Sequence, residues 1–155
     1  MPEPDHTGIA NAIVDANRYL TLGTADQDGT PWLTPLYYTP DGYADFYWIS
    51  SPDAAHSRNI GRRAEVSIVV FDSQAAIGTA QAVYARATAE QVPDADLPDA
   101  VRVAFSPRFP GVRSMTPDQL TAPASFRLYR ARITRRWILE PEKGSGDRRV
   151  EVPVS

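Results

Sequence analysis

The alternation of apolar and polar positions cuts this chain into short strands with few helices between them. Ile9, Ile13 and Val14, with Ala10 and Ala16, form an apolar stripe at helical spacing, which predicts a helix over 7–18 with Thr7 as its N-cap. "RYLTLGTAD" reads as a strand, and Asp28-Gly29 in "DQDGT" as a hairpin turn into a second strand, "PWLTPLYYT". Pro35 has no N–H to give a ladder, so it belongs at an edge, a bulge or a ligand. "PDG" at 40–42 turns the chain into a third strand, "YADFYWIS". "EVSIVVFD" (65–72) is apolar on both faces, as a barrel strand or buried strand would be. "GTAQAVYARATAEQV" and "FRLYRARITRRWILE" alternate again, and "RRVEVPV" supplies a short closing strand. Leu97, Ala100, Val101, Ala104 and Phe105 fit one face of a short helix behind Asp96.

Strands joined by hairpins, with only short helices, predict a mainly β fold, a small barrel of six antiparallel strands. A length of 155 residues suits one domain over 1–155. Within it, 93–125 is an irregular proline-rich segment carrying the short helix, and 126–155 holds the C-terminal strands. "FSPRFPGVRSM" (105–115) is a lid on a substrate or, more simply, a surface insertion.

Charge and composition narrow the function. A net charge of −3 argues against broad affinity for nucleic acid or anionic membrane. No stretch reaches the roughly 18 consecutive apolar residues of a membrane span. The start, "MPEPDHTG", has no basic or apolar signal region, so a cytoplasmic location is expected. The absence of cysteine removes disulfides, thiolate metal sites and a thiol nucleophile. Two histidines, His6 and His56, are too few for a histidine-rich metal site. "DQDG" begins like a calcium loop, but Tyr37 stands where the bidentate glutamate belongs. No serine-hydrolase elbow, dinucleotide fingerprint or phosphate loop is present. Arg127, Arg130, Arg132, Arg135 and Arg136, with Tyr129 and Trp137 among them, give a nucleic-acid-binding barrel its only footing. Alternation along a strand divides them between two faces.

One junction carries chemistry. In "YWISSPDAAHSRNI" (47–60), Ser51 reads as an N-cap, Pro52 as the first helical residue and Asp53 as a favourable first-turn acid. Such a start presents unpaired backbone N–H groups, and with the Ser50 and Ser51 hydroxyls it can hold an anion. His56 adds a charge-assisted bond to a dianion that raises its pKa, and Arg58 adds positive potential.

The order G-x-P-x-x-x-P-L (29–36), an aromatic strand ending in Ser50 with Asn59 nine residues on, V-S-I-x-V-F (66–71) and A-x-A-E (87–90) resembles the pyridoxamine 5′-phosphate oxidase-like, FMN-binding split-barrel superfamily. The resemblance covers about residues 7–92. It implies a six-stranded split β-barrel, a homodimer with a flavin in each of two interface clefts, and a small-molecule substrate. Thr34, Pro35, Leu36 and Tyr37 match the strand along the isoalloxazine ring. Ile49 and Ser50 match the region of the ribityl chain and phosphate, and His56 matches a basic phosphate ligand. Tyr37, Trp48, Tyr84 and Trp137 are candidate walls of the cleft, although strand aromatics more often serve core or interface.

The departures matter too. True pyridoxamine phosphate oxidases carry arginine, lysine, arginine and glutamine at or near the positions matching Thr34, Thr39, Ala55 and Ala82, which argues against vitamin B6 oxidation. Members using the deazaflavin F420 carry an arginine and a lysine where this chain has Ala54 and His56, leaving Arg58, Arg62 or a partner's arginine to substitute. The resemblance therefore implies an FMN-dependent oxidoreductase working through flavin N5. The alternatives are an F420-dependent reductase and a non-catalytic flavin- or haem-binding barrel.

Overall fold

The computed structural model describes residues 2–142 and 146–154; Met1, residues 143–145 and Ser155, and with them parts of the predicted C-terminal segment, lie outside the described residues. The elements run α1 (His6–Ala16), β1 (Tyr19–Ala25), β2 (Pro31–Tyr37), β3 (Thr39–Asp41), β4 (Asp45–Ser50), α2 (Ala55–Arg62) and β5 (Glu65–Phe71). They continue with β6 (Ala82–Gln91), α3 (Leu97–Ala104), β7 (Arg127–Glu142) and β8 (Gly146–Val152). The predicted mainly β, antiparallel architecture is present. The ladder breaks at Tyr38, and β3 joins Thr39 of the predicted second strand to Pro40 and Asp41, which were expected in the turn, so that turn falls at 42–44; among the described residues β8, the closing strand, pairs only with β7.

The sheet runs β2-β1-β5-β6-β7-β4-β3. Its two end strands, β2 and β3, are separated in the chain by Tyr38 alone. The sheet must therefore curl until its ends meet in one continuous segment, which is the split-barrel geometry. Tyr38 is fully buried at that corner, and its hydroxyl donates to the Val14 carbonyl at 2.5 Å. Burial pushes this phenol up to about 12, against the opposing charge of Arg108, so it remains a donor at any physiological pH.

Alternation along the strands sorts side chains into two cores. Leu20, Leu22, Phe46, Trp48, Ile68 and Val70 point into the barrel, where α1 plugs one side with Ala10 and Val14. Tyr47 and Leu128 point outward and are covered by α3 through Leu97, Ala100 and Ala104. Each fully buried leucine contributes about 1.5–3 kcal/mol, so these faces hold the fold without any cross-link.

Two local expectations are corrected. α1 is capped by Asp5, whose carboxylate accepts from Gly8 N–H at 2.9 Å, so Thr7 lies inside the helix. β5 is not apolar on both faces in effect: Val66, Ile68 and Val70 are buried, whereas Glu65, Ser67 and Phe71 are exposed. Among the described residues no element covers the outer face of the sheet there, so Phe71 and the half-buried Val69 are apolar without being core.

Candidate functional site

β4 ends at Ser50, and the next four residues form a turn rather than the predicted first helical turn. Ser51 Oγ accepts from Asp53 N–H at 3.2 Å, and the Ser51 carbonyl accepts from Ala54 N–H at 3.2 Å. A serine hydroxyl so engaged offers the backbone a local alternative to helix, and here it wins. Helix α2 begins at Ala55 with Ala54 at its N-cap and no side-chain cap. Ser51 and Pro52 thus lie before the helix, and the N–H groups of its first turn have no capping side chain.

Helix α2 sits on the barrel through a polar face. Ile60 enters the core, and Asn59 Nδ2 donates to Thr24 Oγ1 of β1 at 3.0 Å in a buried contact. The stripe Ala55, Arg58, Asn59 and Arg62, spaced as one helical face, lines a cavity of about 290 Å³. Its opposite wall is the β1–β2 hairpin with Thr30, Pro31 and Trp32. Asp26 also lines it, but one carboxylate oxygen already accepts from Asp28 and Thr30 N–H at 2.8 and 2.9 Å. That pair of bonds makes "DQDG" a turn, as expected. Arg58 and Arg62 are exposed and have no ion pair among the described residues.

The same cavity opens onto a free backbone edge. β2 pairs with β1 in the register Thr21↔Pro35 and Tyr19↔Tyr37, and among the described residues no strand pairs along its other side. Tyr38 N–H donates to Arg18 O, which places the even-numbered residues of this strand in the hydrogen-bonded pairs with β1. The odd-numbered residues Pro31, Leu33, Pro35 and Tyr37 therefore direct their backbone groups away from β1. Pro31 and Pro35 cost the ladder nothing, as the edge reading of Pro35 required. Leu33 and Tyr37 N–H are left facing outward.

The predicted site residues divide among these features. Ser50 and His56 meet each other: His56 Nε2 and Ser50 Oγ are 2.8 Å apart and both side chains are buried. Burial lowers the His56 pKa below the usual imidazole value, so the neutral ring is favoured here. Arg58 lines the α2 cavity, together with Arg62, Thr30, Trp32 and Asn59; Thr30 and Trp32 escaped the sequence reading, and Asn59 entered it only as a motif residue with no site role. The signal of Trp32 was weak, since it follows a proline on an edge strand. Thr34 and Leu36 are half-buried, Leu36 against the core, whereas Pro35 is exposed. Tyr37 and Ile49 line a second cavity of about 150 Å³ with Trp48 and Arg113. Trp48 Nε1 and Tyr37 Oη are buried without hydrogen-bond partners among the described residues, an arrangement that costs about 1–3 kcal/mol per orphaned group. The Trp48 ring is otherwise a core residue, stacked on Tyr129 at 6.0 Å.

The remaining aromatic candidates, Tyr84 and Trp137, are opposite each other on β6 and β7. Trp137 is flanked by the guanidinium groups of Arg86, Arg135 and Arg149 at 5.7, 4.8 and 5.6 Å. The β7 arginines do not form one basic patch. Arg136 is buried, and Arg130, Arg132 and Arg135 are matched with Glu90, Asp45 and Glu151.

A family model described as pyridoxamine 5′-phosphate oxidase matches residues 9–145. The chain belongs to this family. Comparison with curated proteins gave no match. Solved structures share the fold of this pyridoxamine 5′-phosphate oxidase family member at low identity. A haem-binding protein from Mycobacterium smegmatis is 19% identical with a TM-score of 0.74, covering 98% of this chain and 59% of its own. The haem storage protein HutZ from Vibrio cholerae is 18% identical with a TM-score of 0.60, over 81% of this chain and 88% of its own. A structure described as an F420 reductase is 21% identical with a TM-score of 0.60, over 88% of this chain and 98% of its own. Structures that share this fold are thus described by different cofactors, and the residues of this chain must discriminate among them. Among the described residues no cluster of His, Cys, Asp and Glu suits a metal, and no helix is long and apolar enough to cross a membrane.

Proposed function

We propose that this family member is an FMN-binding oxidoreductase that acts on a small molecule as a homodimer. One observation carries the reading: the free edge of β2 runs into the cavity that Arg58 and Arg62 line. A flat ring with acceptors and a donor on one side suits the outward Leu33 and Tyr37 N–H groups and the carbonyls between them. A phosphate suits two unpaired guanidinium groups and the uncapped first turn of α2. Bound flavin supplies hydride transfer.

The rest is work for this chain's own residues. Arg58 and Arg62 hold the anionic tail, and Thr30 adds a hydroxyl from the hairpin. His56 is a positioning residue: its bond to Ser50 ties the end of β4 to the first turn of α2, so that the arginine stripe faces β2. Trp32 walls the cavity mouth. Trp32, Leu33 and Tyr19 are large apolar side chains exposed on β1 and β2, and a second copy of the chain laid over them would exclude water from the cleft.

Flavin is favoured over haem because both histidines already have side-chain partners, His6 with Glu140 at 3.2 Å and His56 with Ser50. The test is to purify the protein and analyse what it carries. A yellow dimer releasing flavin with its phosphate attached supports the proposal. A colourless protein that takes up F420 or haem but no FMN overturns it.

A further inference from the structure

The two cores are closed in different ways. The first lies inside the barrel under α1, whereas the second is roofed by the eight-residue α3 and then by a segment, 105–115, that holds no helix or strand. Between that segment and β4 lies the cavity of about 150 Å³. Ile49, Leu128, Ala104 and Phe105, which belong to the second core or pack against it, form its walls, and Val112 closes it from the segment.

The polar side chains of this lining are spent or out of reach. Thr39 Oγ1 donates to the Ala104 carbonyl at 2.8 Å, and the Tyr47 hydroxyl is engaged by Arg130. Tyr37 Oη and Trp48 Nε1 have essentially no accessible surface, so they offer a guest nothing. Arg113 is exposed, which leaves its charge in water at the rim. A guest here is held by contact alone. An apolar space excludes water and gains contacts from an apolar body of matching size, and about 150 Å³ suits one benzene-sized ring.

The segment over the cavity is latched beside it. Pro110 and Gly111 form a turn in which Gly111 has φ +92°, a region glycine enters without strain, and Val112 and Arg113 follow at the cavity wall. Before the turn, the Arg108 guanidinium donates to the carbonyls of Tyr38, Val14 and Asn17, the last two at 2.9 and 3.1 Å. Val14 and Asn17 stand at the C-terminal end of α1, where a cation is favoured. Arg108 also lies 4.6 Å from the Tyr38 ring, and Phe109 receives Arg108 and Arg18 at 5.1 and 4.7 Å. Among the described residues Arg108 has no ion pair, so the latch consists of bonds to carbonyls and rings, which local opening can exchange for water.

We propose that this cavity binds one small uncharged ring, of benzene to toluene size, and that the 105–115 segment is the strap that admits it, with Arg108 as the latch. The site does not rest on the flavin reading, since none of its residues lines the α2 cavity.

Toluene and benzoate are suitable probes, added to the full-length protein as purified. In a methyl correlation spectrum toluene should move the signals of Ile49, Val112 and Leu128 and leave those of Leu20 and Val70, inside the barrel, in place. Half-saturation should fall at about 0.1–1 mM. Benzoate should bind at least about tenfold more weakly, because its carboxylate finds no donor in the cavity. Val112 is 36% exposed, so the wall can take a larger side chain, and Val112→Trp should fill the space and abolish the toluene shifts. Arg108→Gln should speed trypsin cleavage after Arg113 by about tenfold, and toluene should slow that cleavage in both proteins. Unmoved Ile49 and Leu128 methyls at about 3 mM toluene overturn the site. So do benzoate binding as tight as that of toluene and toluene shifts that survive Val112→Trp. Equal cleavage rates with and without Arg108 overturn the latch.

Discussion

Ser50 Oγ and His56 Nε2 lie 2.8 Å apart in a buried bond that joins the last residue of β4 to the first turn of α2. Among the described residues the turn 51–54 between them makes no side-chain hydrogen bond to the barrel, so the pair sets where α2 starts. Ser50→Ala leaves a buried imidazole nitrogen unpartnered. Urea denaturation should show a loss of about 1–3 kcal/mol. A loss within about 0.5 kcal/mol, the range of an ordinary surface change, would remove the pair from the account.

The same histidine gives the protein a specific acid sensitivity. Its pKa in the fold lies below the ordinary 6.5 because burial disfavours the charged ring. As pH falls through 6.5 the unfolded chain takes up this proton first, so stability declines. The decline levels off once the pH passes below the folded value. Urea midpoints measured from about pH 8 to about pH 5 should fall more steeply for the native protein than for His56→Gln. Carboxylates titrate alike in both and cancel in the comparison. Parallel profiles would contradict the burial argument.

Backbone parity on β2 gives a second pair of outcomes. Pro35 directs its nitrogen away from β1, so Pro35→Ala should leave stability within about 1 kcal/mol of the native value. Thr34 is in a hydrogen-bonded pair with Leu22, so Thr34→Pro removes a ladder bond and should cost about 3 kcal/mol or more. Thermal unfolding of the two variants distinguishes them. The reverse order would mean that the free edge has been assigned to the wrong residues.

Much of this was legible in the chain. The hairpin turn at Asp28-Gly29, a second turn that falls at 42–44 rather than 40–42, and alternation in "DFYWIS" and "AVYARATAEQ" mark strands because turn chemistry and period-2 burial are local properties. The expected edge position of Pro35 follows from its missing N–H. What escaped depends on distant partners. Ser51 has every local quality of an N-cap, yet its hydroxyl is taken by Asp53 and the helix starts three residues after the predicted Pro52. His56 looks like a free cation until the fold brings Ser50 against it. Val69 and Phe71 look like core until the sheet curls and leaves that face outward. The orphaned donors of Tyr37 and Trp48 have no sequence signature, since Tyr37 ends one strand and Trp48 lies within another.

The central claim is that Arg58 and Arg62 hold the phosphate of a flavin laid along β2. Calorimetric titration of cofactor-free protein with FMN and with riboflavin tests it most directly, because the two ligands differ only at that phosphate. FMN should bind roughly tenfold to hundredfold more tightly, the value of a charge-assisted bond. Arg58→Gln with Arg62→Gln should abolish most of that difference while leaving riboflavin binding intact. Equal affinities for the two ligands in the native protein, or a preference that survives both substitutions, would contradict the account.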